Sequence, residues 1–204
     1  MLLAIDTSAG TAVALVADDG RVLAERSSPD TRRHAELIGP FLAEALAAAE
    51  VDGARLTHVV AGIGPGPFTG LRVGIAAARV IALARGIPLL AVPSHEAVAL
   101  SLIEGGAVAG RFAVVTDARR REVAVTVFAA RLPMPAEVEP AHLVARVAFA
   151  PAEGVTAHEV AEIPAAALAH AALARLATGA AFPEPRPLYL RAPDVTLSAP
   201  KRVS

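Results

Sequence analysis

At 204 residues the chain suits one compact domain or two small ones, and its 54% apolar content with only 3% aromatics points to an aliphatic, alanine-rich core. The absence of cysteine excludes disulfides, thiolate metal sites and thiol catalysis, and no uninterrupted apolar run approaches the roughly 18 residues of a membrane span. A formal charge of −1, from 19 basic and 20 acidic residues, argues against a dedicated nucleic-acid binder, whose affinity depends on a basic excess.

The first residues read as a buried strand, 1–6. The apolar run meets Asp6 at once and carries no basic segment, so it is not read as a signal peptide, and a cytoplasmic location is expected. Thr11 to Ala17 and Arg21 to Ser27 are the next strands. Asp19-Gly20 between them is a two-residue hairpin signal, so the chain opens with a three-strand meander. Helical periodicity begins near His34, with Leu37, Ile38, Phe41, Leu42, Ala45 and Leu46 on one stripe and Pro40 expected in or just after the first turn. A strand over 58–63 leads into Gly64-Pro65-Gly66-Pro67-Phe68-Thr69-Gly70. A helix follows from about Thr69 to Arg85, closed by Gly86 and Pro88. Leu89 to Val92 is a further strand and Ser94 to Ile103 a further helix.

Composition then changes. Thirteen of the 15 glycines lie at or before Gly110, and ten of the 16 prolines lie after Ala130, which marks a boundary near 108/109. Phe112 to Asp117 and Glu122 to Ala130 read as strands, 131–163 gives no clear pattern, and Pro164 to Thr178 is an Ala-rich helix. The tail is extended around Leu188-Tyr189-Leu190.

Two segments could carry chemistry. Asp6-Thr7-Ser8, at the end of the first strand, could hold a hydrated metal and phosphate oxygens, or could simply make a turn. The Gly/Pro loop lies between a strand and a helix, where ligands gather in open α/β sheets. With Thr69 as N-cap, the N–H groups of Gly70, Leu71 and Arg72 would face an anion; alternatively, the glycines only let backbones approach. The loop is neither a Walker A motif nor Gly-x-Gly-x-x-Gly. The six histidines (34, 58, 95, 142, 158, 170) show no metalloprotease spacing, and no Gly-x-Ser-x-Gly elbow accompanies them. Gly70, Gly74, Ala77 and Ala78 make a small-residue face on the helix after the loop. Since a helical Gly costs about 1 kcal/mol relative to Ala, another backbone is expected against Gly74, within the fold or in a partner. Arg72 and Arg79 share a face that reads as solvated, and Arg119-Arg120-Arg121 as a hairpin tip.

Taken in order, Ala4-Ile5-Asp6-Thr7-Ser8, Gly64 through Gly74, Asp117-Ala118-Arg119 with Glu122-Val123, and Pro187-Leu188-Tyr189-Leu190-Arg191 resemble the TsaB (YeaZ) family, which takes part in threonylcarbamoyladenosine synthesis on tRNA. The resemblance implies an actin-like ATPase or ribonuclease H-like α/β fold. It has two tandem lobes, each with a mixed five-stranded sheet flanked by helices: 1–108, carrying the loop and partner helices, and a smaller 109–204, whose C-terminus packs back on the first. It implies a non-catalytic subunit that binds and activates a TsaD-type catalytic subunit, joined by a TsaE-type ATPase, contacting tRNA through the complex and pairing with itself when alone. No metal and no firm cofactor are implied, with ATP or ADP only at the complex boundary. The expected partner interface is His34, Leu37, Phe41, Gly70, Leu71, Gly74 and Ala78. A vestigial nucleotide site is expected at Asp6, Thr7, Ser8, Gly64, Gly66 and Thr69, and RNA contact at Arg119, Arg120, Arg121 and Arg191, with Lys201 and Arg202. Two departures weaken nucleotide and metal chemistry. Pro67 stands where the family usually has Ser, which removes a hydroxyl and an N–H. The positions of the TsaD-like histidine pair hold Ser94 and Val98. The alternatives are an active ATP-dependent transferase or kinase-like enzyme and, less favoured, a metallopeptidase.

Overall fold

The structure is a computed structural model and describes residues 1–191; Lys201 and Arg202 lie outside the described residues. The meander forms as its alternation and turn chemistry require: β1 (Leu2–Asp6), β2 (Thr11–Val16) and β3 (Val22–Ser28) pair antiparallel in sequence. Helix α1 (His34–Ala48) carries the chain across one face to β4 (His58–Gly62), which adds parallel to β1. Helix α2 (Phe68–Arg85) leads likewise to β5 (Leu89–Val92), parallel to β4. The strand order is β3-β2-β1-β4-β5.

Helix α3 (Ser94–Glu104) connects to a second sheet. There β6 (Arg111–Asp117) and β7 (Glu122–Ala129) form a hairpin, β8 (Ala136–Ala145) extends it and β9 (Val155–Glu159) adds parallel to β6, giving β8-β7-β6-β9. This sheet has four strands among the described residues, not the expected five. After Glu159 the chain passes into α4 (Ala165–Thr178) within a few residues, without a further strand between them.

The layers follow from side-chain alternation, because β1 and β2 bury both faces. Leu3, Ile5, Val13 and Leu15 pack under α1 and α2. Leu2, Ala4, Ala14 and Val16 pack under α3 and α4, where Ala165–Ala172 is almost wholly buried. Alanine at these positions lets α4 lie close to the sheet. The far side of α3 covers Phe112, Val114 and Phe128 of the second sheet. Glu96 and Arg175 join α3 to α4 through two short bonds, 2.8 and 2.5 Å, with both side chains largely buried.

Three local expectations change. Helix α2 starts at Phe68 with Pro67 as N-cap and no side-chain cap, so Thr69 is not the cap. Pro40 lies in the second turn of α1, where its ring faces outward. The unclear stretch 131–163 contains β8, a mostly exposed edge strand with Pro140 and register breaks, and the short β9.

Candidate functional site

The end of β1 is closed by its own neighbours. Asp6 is 1% exposed. One carboxylate oxygen, Oδ1, accepts from the Ser8 N–H at 2.7 Å and the Ser8 hydroxyl at 2.5 Å. The other, Oδ2, accepts from the Ser94 hydroxyl at 2.6 Å. Burial raises the Asp6 pKa, against the serine donors that lower it. Ser94 also fixes the loop: its hydroxyl oxygen accepts from the Gly64 N–H at 3.1 Å and its own N–H donates to Gly64 O at 2.8 Å. Gly62 is obligatory here, since a Cβ would stand 1.9 Å from Asp6 Oδ2. Of the residues expected in a vestigial nucleotide site, the structure therefore brings Asp6, Ser8 and Gly64 into one closed network. Thr7 is tied instead to α2, and Thr69 is exposed on the first turn of that helix.

The next residue along, His95, turns toward the second sheet. It is wedged between the hydroxyls of Thr126 (2.8 Å) and Thr116 (2.9 Å), and burial lowers its pKa to about 3, so the ring is neutral. The first two residues of α3 thus join both sheets, Ser94 to the first and His95 to the second. Sequence reading singled out neither for this. Among the described residues no three His, Cys, Asp or Glu side chains converge to hold a metal.

The small-residue face of α2 points into the chain. A Cβ on Gly70 would lie 2.6 Å from Thr7 O and 3.0 Å from His34 Nε2, and one on Gly74 would lie 2.2 Å from Thr7 Oγ1. Thr7 Oγ1 donates to Gly70 O at 2.8 Å. Leu71 and Ala78 are fully buried, and His34 is buried against the Thr11 hydroxyl at 2.8 Å. Gly70, Leu71, Gly74, Ala78 and His34 are thus buried within the chain, with Thr7 of the β1 turn against Gly70 and Gly74 and Thr11 of β2 against His34. Leu37 and Phe41 are half-buried. The outward faces carry Ala76, Val80 and Leu83 on α2, with Val80 65% and Leu83 81% exposed, and Gly39, Pro40, Ala43 and Ala47 on α1, while Val73 and Ala77 are half-buried against the core. The first-turn N–H groups of α2 also shift: Leu71 N–H already donates to Pro67 O, so they belong to Phe68, Thr69 and Gly70.

A cleft remains between the sheets. Pro67 and Phe68 wall it on one side, the β6–β7 tip on another and the tail on a third, enclosing about 310 Å³. Phe68 stacks on Tyr189 with centroids 4.7 Å apart, and the Arg72 guanidinium lies 4.9 Å over the Phe68 ring, which accounts for a residue read as merely solvated. Arg79 donates to Pro185 O and Leu188 N–H to Ile63 O, fastening the tail to the first sheet's loop. Arg191 pairs with Glu122, and Arg119 donates to the Thr31 hydroxyl. Arg119, Arg120 and Arg121 are all exposed, with φ of 63, 56 and 64.

A three-strand antiparallel meander continued by two parallel strands, joined through α3 to a second meander and one parallel strand, defines an actin-like, ribonuclease H-type α/β protein. The family model described as TsaD: tRNA N6-adenosine threonylcarbamoyltransferase matches residues 21–132, more than half of the chain, and the chain belongs to that family. A Mycobacterium tuberculosis protein described as uncharacterized is 48% identical over 124 residues, 60% of this chain and 56% of that protein. The Bacillus subtilis tRNA threonylcarbamoyladenosine biosynthesis protein TsaB is 33% identical over 123 residues, 60% of this chain and 52% of that protein. The chain thus spans about half the length of the curated relatives it matches. A Pseudomonas aeruginosa structure, described as an uncharacterized protein with similarity to peptidase YEAZ, superposes with a TM-score of 0.78 at 25% identity, covering 93% of this chain and 99% of that one. The resemblance to TsaB (YeaZ) thus holds in both sequence and fold. No helix among the described residues is long and apolar enough to cross a membrane.

Proposed function

We propose that this chain serves the formation of threonylcarbamoyladenosine on tRNA as a non-catalytic subunit that binds and activates a TsaD-type catalytic subunit. The observation that carries the reading is the outward stripe of α2. Ala76, Val80 and Leu83 recur at i, i+4 and i+7 beside the small outward residues of α1, and leave the large aliphatic side chains of Val80 and Leu83 in water. A related subunit of the same fold could present its own two helices to this face, forming a bundle about a pseudo-twofold axis; a second copy of the chain would do so when the partner is absent. The closed Asp6–Ser8–Ser94 network supports a role without catalysis, because both carboxylate oxygens already have donors. A TsaE-type ATPase and tRNA would be engaged through the complex. ATP or ADP would bind only at the subunit boundary.

The test is co-expression with the TsaD-type protein of the same organism, followed by size exclusion and an assay of tRNA modification. A Val80→Glu, Leu83→Glu double variant should leave the isolated chain's unfolding midpoint unchanged, abolish co-elution and stop modification. Co-elution of that variant at the wild-type level would refute the surface. Modification at full rate without the chain would refute the role.

A further inference from the structure

We propose that the outer face of the second sheet binds a small organic cation, a protonated amine carrying one compact apolar group, in a pocket formed by the strands and the segment that follows β8. The pocket encloses about 150 Å³ and lies on the side of the sheet turned away from α3. An apolar cavity of about that size admits benzene. The floor is Ala113, Val125 and Val127, all buried. The stretch from Ala148 to Ala152 borders it and brings the half-buried Phe149 ring to one wall.

The polar part of the pocket is built by an irregularity in β8. Glu139 and His142 are three residues apart, and on a regular strand they would point to opposite faces. The register of β8 on β7 breaks between them. Glu139 stands opposite Val127 and His142 opposite Val125, so Thr126 alone faces both Pro140 and Ala141. Val125 and Val127 both line the pocket, and the bulge therefore brings Glu139 and His142 to that same face. Bulges re-aim side chains in this way beside functional sites. Both groups accept hydrogen bonds. His142 Nδ1–H donates to Pro140 O at 2.9 Å, which leaves Nε2 of the neutral ring as an acceptor. Glu139 has no hydrogen-bond or ion-pair partner among the described residues. No lysine or arginine lines the pocket. A carboxylate, an imidazole acceptor and an aromatic face suit an ammonium group, and the aliphatic floor suits its carbon skeleton. An anion, or the carboxylate of a zwitterionic amino acid, would find no side-chain cation there. The pocket shares no residue with the cleft between the sheets or with α2, so it does not rest on the partner reading.

The full chain at pH 8 would be titrated with para-fluorobenzylamine, para-fluorobenzyl alcohol and para-fluorobenzoate while the ligand's fluorine resonance is followed. The proposal expects a saturable shift with the amine, binding of the alcohol weaker by about threefold, and no saturable shift with the benzoate. The factor is modest because Glu139 is exposed to water. Glu139→Gln, on a largely exposed strand, should lower the amine to the affinity of the alcohol, leave the alcohol unchanged and leave the unfolding midpoint in place. Phe149→Leu should weaken the amine more than the alcohol, through loss of the aromatic face. Val127→Phe, which fills the floor, should abolish binding of both. Four results would overturn the proposal: no saturable shift with the amine, benzoate bound as tightly as the amine, unchanged amine affinity in Glu139→Gln, or undiminished amine binding in a folded Val127→Phe chain.

Discussion

Replacing Gly74 by alanine gives the sharpest test of how the loop helix is seated. In an exposed helix the change should stabilise by about 1 kcal/mol through propensity alone. Here the added Cβ would stand 2.2 Å from Thr7 Oγ1, 3.0 Å from its Cγ2 and 3.1 Å from its Cβ. Rotating Thr7 brings either its methyl or its Hβ to that position, leaves the Cβ contact at 3.1 Å, and breaks the 2.8 Å bond from Oγ1 to Gly70 O. Losing that buried hydrogen bond costs about 1 kcal/mol. Overpacking against the β1 turn adds about 1–3 kcal/mol. After the propensity gain, a net loss of about 1–3 kcal/mol is expected. Urea unfolding of the isolated chain would read it as a lower midpoint at unchanged slope. In a Thr7→Ala background, where only the Cβ contact remains, the same change should cost at least about 1 kcal/mol less, a coupling that a double-mutant cycle isolates. A neutral or stabilising Gly74→Ala in the wild-type background would refute the seating and return the helix face to a partner.

Acid should loosen the joint between the sheets. His95 is held near pKa 3 when folded and returns to about 6.5 when unfolded, so only the unfolded chain takes up a proton between those values. Its stabilising contribution is complete above pH 6.5 and falls by about 1.4 kcal/mol per pH unit below it. His34, also lowered by burial, acts in the same direction. Asp6, raised by burial, acts oppositely, and its contribution is present at low pH and lost as pH rises through its folded pKa. The urea midpoint should drop from pH 7 to pH 5, and a flat or rising midpoint would refute the buried neutral ring. Ser94→Ala removes the donor to Asp6 Oδ2 and the acceptor for Gly64 N–H, with an expected loss of about 2 kcal/mol by urea unfolding. Glu96→Ala leaves Arg175 without its carboxylate between α3 and α4, with an expected loss of about 3 kcal/mol; a change within error would show that the pair carries no stability.

Much of the first sheet was legible because its signals are local. The β2–β3 turn at Asp19-Gly20, the strand into Gly64 and the stop of α2 at Gly86 in a left-handed conformation are written in neighbouring residues. The start of α2 was misread by one residue because Pro67, with extended backbone, serves as N-cap without a side-chain bond. Strand β8 left no pattern: it is a largely exposed edge, so neither burial nor alternation marked it. In the site, Asp6 and Ser8 stand out together in one turn, and Gly64 joins them in the sequence only through the family resemblance. Ser94, 88 residues from Asp6, does not stand out, because no periodicity connects a helix start to the end of another strand.

By itself the sequence determined the meander, the strand–loop–helix units and the smallness of one face of α2, since backbone propensity and side-chain spacing act over a few residues. Which way that face looks was decided only by tertiary structure. Parallel pairing of β4 with β1 sets α2 over the β1 turn, and Thr7 then fills the space that Gly70 and Gly74 leave open. The same pairing turns Val80 and Leu83 to solvent. The cleft with Arg119 and Tyr189 likewise exists only because α3 and the tail bring residues from three distant segments to one place.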